Sequence, residues 1–173
     1  MENDLKKILF SEQTILSRLD EIGWQISNDY KGKNLTVIAI MNGSIMFMSD
    51  LLKRVYIPLQ IDCWSVSSYH GNKSTGKINF RQHEIVDVKD RDVLLLDDIL
   101  DSGLTLHTIK NKVHNETQAS SVKSCVLLSK KINRVKQIEA DYVGFEIDDE
   151  FVVGYGLDYN EHYRNLPYIG VLK

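Results

Sequence analysis

The sequence predicts an α/β fold, a mostly parallel twisted sheet flanked by helices. Short apolar runs alternate with segments whose apolar residues recur at helical spacing, the pattern of βαβ units. Val93-Leu94-Leu95-Leu96 is apolar at four consecutive positions, as a strand buried on both faces of a parallel sheet requires. At 173 residues, 43% hydrophobic and 26% charged, the chain suits one compact domain, 1–173, with a sizeable core.

Each element follows in order. Ser11 opens a helical pattern with Ile15, Leu16, Leu19, Ile22 and Ile26 on one face, and Lys31-Gly32-Lys33-Asn34 ends it. Leu35 to Met41 reads as a buried strand, and Gly43-Ser44 leads into a helix carrying Met46, Phe47, Leu51 and Leu52. A second strand covers roughly Gln60 to Tyr69. After it, His70 to Lys77 is rich in Gly, Ser, Asn and Lys, which signals an exposed, mobile loop. Val93 to Asp98 is a third strand, followed by a tight loop and a helix with Leu106, Ile109 and Val113 on one side. Val122 to Leu128 and Tyr142 to Ile147 are further strands, and Phe151 to Lys173 reads as a small appendage to the sheet.

The bulk numbers exclude several classes. A formal net charge of −3 offers no general attraction to nucleic acid or to anionic membranes. The longest apolar runs, such as Val93 to Leu96 and Val126 to Leu128, fall far short of the ~20 residues that span a bilayer. Met1-Glu2-Asn3-Asp4 leads into no apolar signal segment, so export is not expected. Cys63 and Cys125, each inside an apolar strand-like stretch, read as buried thiols in a reducing cytoplasm.

The chemistry concentrates after the third strand. Asp97 and Asp98 emerge at its carboxyl end, where open α/β sheets bind ligands. The loop Asp101 to Thr105 then enters a helix, so its free N–H groups and the helix dipole favour an anion. Gly103 lets the backbone approach that anion, and the Ser102 and Thr105 hydroxyls add hydrogen bonds. A phosphate cradle beside a carboxylate pair suits a 5-phosphorylated ribose, because carboxylates accept hydrogen bonds from vicinal hydroxyls or hold a divalent cation.

The stretch Val93 to Thr105 resembles the phosphoribosyl-pyrophosphate signature of the type I phosphoribosyltransferases. Met41-Asn42-Gly43-Ser44, Ser68-Tyr69, Ser129-Lys130-Lys131 and the run Phe151 to Glu161 are similar, in order and spacing, to the hypoxanthine-guanine branch of that family. The likeness covers most of the chain from about Leu35 onward. It implies the type I phosphoribosyltransferase fold, with the appendage serving as a small purine-binding hood. It also implies purine salvage, the transfer of the 5-phosphoribosyl group from phosphoribosyl pyrophosphate to hypoxanthine or guanine with Mg2+ as cofactor.

The resemblance distributes the roles. Asp101 resembles the family's general base near N7 of the purine, a place where a carboxylate can exchange a proton. Asp97, Asp98, Ser102, Gly103, Leu104 and Thr105 hold the phosphoribosyl moiety. Asn42, Gly43 and Arg164 bind pyrophosphate, and the Asn42 loop carries a non-proline cis peptide in the family. Ser68 and Tyr69 open a lid that excludes water. Lys130 donates to O6 of a 6-oxopurine and would meet a donor on adenine. Phe151 stacks on the ring, the Val152 backbone reads its edge, and Asp158 completes the purine site. Asp97, Asp98 and Asp158 are the metal ligands. The family forms dimers and tetramers, so a homo-oligomer is expected, with the helix bearing Met46, Phe47 and Met48 as the candidate contact.

Three positions depart from the family pattern. Asp97 stands where Glu is common, which shortens its reach to the ribose. Leu104 stands where some members have Lys, with little consequence because the backbone makes that contact. Asn42 stands where many have Lys, which bears on the pyrophosphate contact and on any subunit contact that Lys makes.

Other readings are weaker. Gly71-Asn72-Lys73-Ser74-Thr75-Gly76-Lys77 fits G-x-x-x-x-G-K, but Ile78 replaces the magnesium-binding hydroxyl and Ile78 to Arg81 alternates like a strand. His70, His83, His107, His114 and His162 have no metal-ligand spacing. A ligand-sensing RNA-binding regulator of the same fold would need a basic face, against the net charge of −3. An enzyme of this fold acting on xanthine, adenine or a pyrimidine is the nearer rival.

Overall fold

The computed structural model describes residues 2–70, 73–80 and 86–173. A 3-10 turn at Glu2–Asp4 leads into β1 (Leu5–Phe10) and α1 (Glu12–Asp29). There follow β2 (Leu35–Met41), α2 (Ile45–Leu52), β3 (Leu59–His70), β4 (Lys73–Phe80), β5 (Asp92–Leu100), α3 (Leu104–Glu116), β6 (Ser121–Lys130), β7 (Tyr142–Ile147), β8 (Val152–Val153) and β9 (Ile169–Leu172). The main sheet has six strands in the order β4-β3-β2-β5-β6-β7. All its pairings are parallel except β3 with β4.

Helices cover both faces, and β5 shows why its sequence reads as a continuous apolar run. Leu94 and Leu96 pack with α1 and α2 residues such as Ile15, Leu19, Phe47 and Leu51. Val93 and Leu95 face Leu106, Ile109 and Val113 of α3. A strand covered on both sides favours apolar residues at successive positions. The apolar run ends at Asp97, which is itself still buried, and exposure begins at half-buried Asp98.

The chain winds away from β2 in two directions. The α2 crossover leads to β3 on one side, while β5 lies on the other side of β2 and continues through α3 to β6. The carboxyl ends of β2 and β5 therefore flank the switch point at which open α/β sheets bind ligands.

Ser11 caps α1 as expected, its Oγ accepting from the Thr14 N–H at 3.2 Å. Several expectations need correction. Residues 5–10 form a strand that the sequence reading did not assign; β1 pairs antiparallel with β9, and β9 with β8, to make a separate three-stranded sheet. The stretch read as a loop over 70–77 contains the start of β4, with Gly71 and Asn72 outside the described residues. Because Lys73–Phe80 is a strand rather than a helix, the G-x-x-x-x-G-K segment is no P-loop. On α2, Phe47 and Leu51 are buried while Met46 faces outward. Cys125 is buried but Cys63 only half-buried, and neither is in a disulfide.

No helix among the described residues is long and apolar enough to cross a membrane.

Candidate functional site

The carboxyl end of β5 carries the acidic pair. Asp97 is buried and accepts the Asp98 N–H at 3.1 Å, while half-buried Asp98 accepts the Ile99 N–H at 2.8 Å. Burial, followed by the adjacent Asp98 charge, pushes the Asp97 carboxyl well above the usual carboxylate range. Burial also raises Asp98, against the Asp97 hydrogen bond, the Ile99 N–H and the charge of Arg164. Two crowded acids of this kind favour a shared proton or a cation.

Beyond them the backbone turns through Gly103, at φ +77, into α3, whose first turn holds no acidic residue. Leu104 N–H, the first of that turn, donates to Ser102 Oγ at 3.4 Å, and no carboxylate of the helix itself competes with an anion at its start. Gly103 has a second reason to be glycine: a Cβ there would come within 2.5 Å of the Lys136 carbonyl oxygen. The segment after β6 closes over the back of the loop, where Lys136 N–H donates to the Ser102 carbonyl at 3.0 Å. Steric fit behind the loop joins the anion-approach role read from sequence.

The end of β2 comes close to the same carboxylates. Met41–Asn42 is a cis peptide, as the resemblance implied, and a Cβ on Gly43 would overlap the Asp98 carboxylate. A Cβ on Gly156 would in turn overlap the Gly43 carbonyl. The polypeptide around β8 is thus seated directly on the β2 loop. Arg164 locks that seat, its Nη1 donating to the Gly156 carbonyl at 2.8 Å and its Nη2 lying 2.9 Å from Asp158 and 3.0 Å from Glu161.

On the far side of the acidic pair, Lys130 leaves the end of β6 and lies 3.4 Å from Asp101 and 3.0 Å from Asp149. Phe151 is 54% exposed, unusual for so large an apolar side chain, and meets Tyr159 edge-on at 5.7 Å. Val152 beside it is buried.

The fold thus gathers Asn42, Gly43, Asp97, Asp98, Asp101 to Thr105, Lys130, Asp158 and Arg164 from separate strand ends. Ser68 and Tyr69 lie in the last part of β3, with Tyr69 opposite Ser74. Among the described residues, Asp97, Asp98 and Asp158 do not form a three-ligand metal cluster. Each can still offer one carboxylate, and Mg2+ is usually held by one or two carboxylates completed by substrate phosphates and water. The residues fit that mode.

Sequence reading assigned no role to Asp149, and Gly156, Tyr159 and Glu161 entered only as members of the run Phe151 to Glu161. All lie in or beside the quoted run Phe151 to Glu161, but only three-dimensional pairing shows what they touch.

Residues 7–160 match the phosphoribosyl transferase domain family. This chain belongs to that family. It is 49% identical to the hypoxanthine-guanine phosphoribosyltransferase of Streptococcus pneumoniae (strain R6), with all of this chain and 96% of that protein covered. It is 48% identical to the protein of the same name from Staphylococcus aureus (strain Mu50), covering all of this chain and 97% of the other. Among solved structures, a hypoxanthine phosphoribosyltransferase from Staphylococcus aureus superposes with a TM-score of 0.93 at 48% identity, covering all of this chain and 94% of that one. A hypoxanthine-guanine phosphoribosyltransferase from Bacillus anthracis gives 0.90 at 38% identity over 98% of each chain. The segment Val93 to Thr105, which resembles that family's phosphoribosyl-pyrophosphate signature, runs along β5 to the switch point between β2 and β5.

Proposed function

We propose that the chain transfers the 5-phosphoribosyl group of phosphoribosyl pyrophosphate to hypoxanthine or guanine, giving IMP or GMP and releasing pyrophosphate. One observation carries the reading: a lysine bracketed by carboxylates and an exposed aromatic ring stand beside an acidic pair that runs directly into a helix-start anion loop. The 5-phosphate occupies the loop from Ser102 to Thr105, and Asp97 and Asp98 reach the ribose hydroxyls. The purine lies against Phe151 with O6 toward Lys130 and its edge along the Val152 backbone.

In the transfer, N9 of the base forms its bond to the anomeric carbon as the bond to pyrophosphate oxygen breaks. The electron pair of that broken bond leaves with pyrophosphate, and the proton on N7 passes to a carboxylate oxygen of Asp101. The carbon has oxocarbenium character in between, as in glycoside hydrolysis, so excluding water protects it. Ser68 and Tyr69, at the end of β3, belong to the lid. Arg164 and the main chain at Asn42 and Gly43 hold the pyrophosphate. Asp97, Asp98 and Asp158, completed by substrate oxygens, would hold Mg2+, which supplies charge neutralisation for the leaving group.

Residues 1–173 act as one domain, since Val152, Tyr155, Leu157, Ile169 and Val171 of the hood share a core cluster with α1 and the main sheet. A cytoplasmic setting suits the two free thiols. A homodimer or tetramer would use the outward side of α2, where Ile45 and Met46 are exposed; Phe47 is fully buried and takes no part. A monomer by light scattering at micromolar concentration would sink that contact.

The test is a base-selectivity assay with magnesium and phosphoribosyl pyrophosphate, offering hypoxanthine, guanine, xanthine, adenine and uracil separately. Rapid formation of IMP and GMP, abolished by chelating the metal, is expected. Binding of the ribose donor without nucleotide from any base would overturn the reading and favour a ligand-sensing regulator.

A further inference from the structure

Lys130 stands opposite Ile147 in the parallel β6–β7 register, so the chain leaving β7 passes the tip of the lysine side chain. Asp149, two residues beyond Ile147, brings Oδ1 to 3.0 Å from Lys130 Nζ. From the loop after β5, Asp101 Oδ2 approaches the same nitrogen at 3.4 Å. The lysine is the sheltered member of the group: its side chain is 11% exposed, against 49% for Asp101 and 69% for Asp149. The neighbouring cations are engaged away from these two carboxylates. Arg134 donates to the Lys130 carbonyl and to Ser129 Oγ, and Lys131 turns to Glu146 at 3.6 Å.

An ammonium carries three N–H bonds in a tetrahedral array. One of them donates to Asp149 at 3.0 Å, and the 3.4 Å ion pair with Asp101 from a second loop restricts where the other two can point. We propose that Asp149 is a positioning residue for purine recognition, aiming a free Lys130 N–H at O6 and keeping a counter-charge beside the lysine once Asp101 has accepted a proton. The proposal rests on the transferase reading above.

The second half of that role follows from charge. Burial disfavours the Lys130 ammonium, but its hydrogen bond to Asp149 and the charge of Asp101 outweigh burial and hold its pKa above the usual lysine value. When the N7 proton moves to Asp101, that carboxyl becomes neutral and one of the two counter-charges disappears. Asp149 takes no part in the proton transfer and remains. Without it, Lys130 is held only by the 3.4 Å ion pair with Asp101, and its ammonium is free to swing away from the position that favours O6 over a 6-amino group. Discrimination between 6-oxo and 6-amino purines therefore depends on Asp149 as well as on Lys130.

Asp149→Asn, with Asp149→Glu as the conservative control, tests this in the full-length protein. In Asp149→Asn, KM for hypoxanthine is expected to rise about fivefold, the scale of a partly exposed ion pair, while KM for phosphoribosyl pyrophosphate stays put. The alkaline limb of kcat/KM for the base should move to lower pH, the hypoxanthine-to-adenine preference should narrow, and Asp149→Glu should restore all three. Unchanged base KM, pH limb and preference in an active protein would overturn the proposal. So would a parallel rise in both KM values with no movement of the pH limb, which marks a structural role. Failure of the unaltered protein to form nucleotide at all would instead overturn the transferase reading, and this proposal with it.

Discussion

The carbonyl of Gly43 lies where a side chain on Gly156 would have to go. Gly156 has φ +102, so its backbone also disfavours any residue with a Cβ. Through this contact the hood rests on the β2 loop, and that loop rests on Asp98. Gly156→Ala is expected to destabilise the protein by about 2–4 kcal/mol, combining backbone strain with overpacking. Denaturant titration reads the loss, and KM for phosphoribosyl pyrophosphate should rise because the displaced loop carries the proposed pyrophosphate contacts. An unshifted midpoint would show that the two loops part without cost.

The acidic pair sets a pH dependence. Folding raises the Asp97 pKa above its ordinary value of 3.8, so above pH ~4 the folded chain binds more protons than the unfolded chain. Stability is therefore fully present at lower pH and lost as pH rises through the elevated folded-state value. Asp97→Asn removes the titrating carboxyl. The metal-free variant is expected to gain roughly 1–2 kcal/mol at pH ~7, a few degrees in Tm, and to lose much of the decline above pH ~4. Its transferase rate should fall nonetheless. A variant less stable than the parent at neutral pH would mean that the Asp98 N–H contact outweighs the crowding.

Much of this was legible because the determinants are local. β2 and β7 have the bounds read from their apolar runs, and the ligand loop after β5 is one contiguous segment in which carboxylates, glycine and hydroxyls appear in working order. β1 was missed for a physical reason. Lys6 and Lys7 break its apolar pattern, it buries only Leu5, and it exists through pairing with β9 at the opposite end of the chain. β4 was half-hidden because Lys73 to Gly76 has the composition of a loop, yet pairing with β3 asks only for backbone hydrogen bonds. In the site, Asp149 and Gly156 depend on register and loop-on-loop contact, so neither Lys130 nor Gly43 announces its partner in sequence.

Phe151 offers a test that separates recognition from folding. It is more than half exposed and touches Tyr159 edge-on, so Phe151→Ala removes little from the core. Stacking of a base on an aromatic ring is worth ~1–3 kcal/mol, so KM for hypoxanthine is expected to rise by roughly 5- to 150-fold. The melting temperature should change by little. A large drop in melting temperature with unchanged base KM would return Phe151 to a purely structural part of the hood.

Asp101 bears the chemical step in the proposed mechanism. Its side chain is 49% exposed and touches Lys130, and no helix or strand depends on it for capping or pairing. Asp101→Asn keeps the shape and removes the proton acceptor. The expected result is a fall in kcat of about 10²–10⁴-fold, the usual size of a lost general base, with binding of phosphoribosyl pyrophosphate by calorimetry nearly intact. A fall of only a few-fold would remove Asp101 from the proton-transfer role. Collapse of donor binding would assign it to holding the ribose phosphate, alongside Ser102 and Thr105, and would leave the N7 proton to another acceptor.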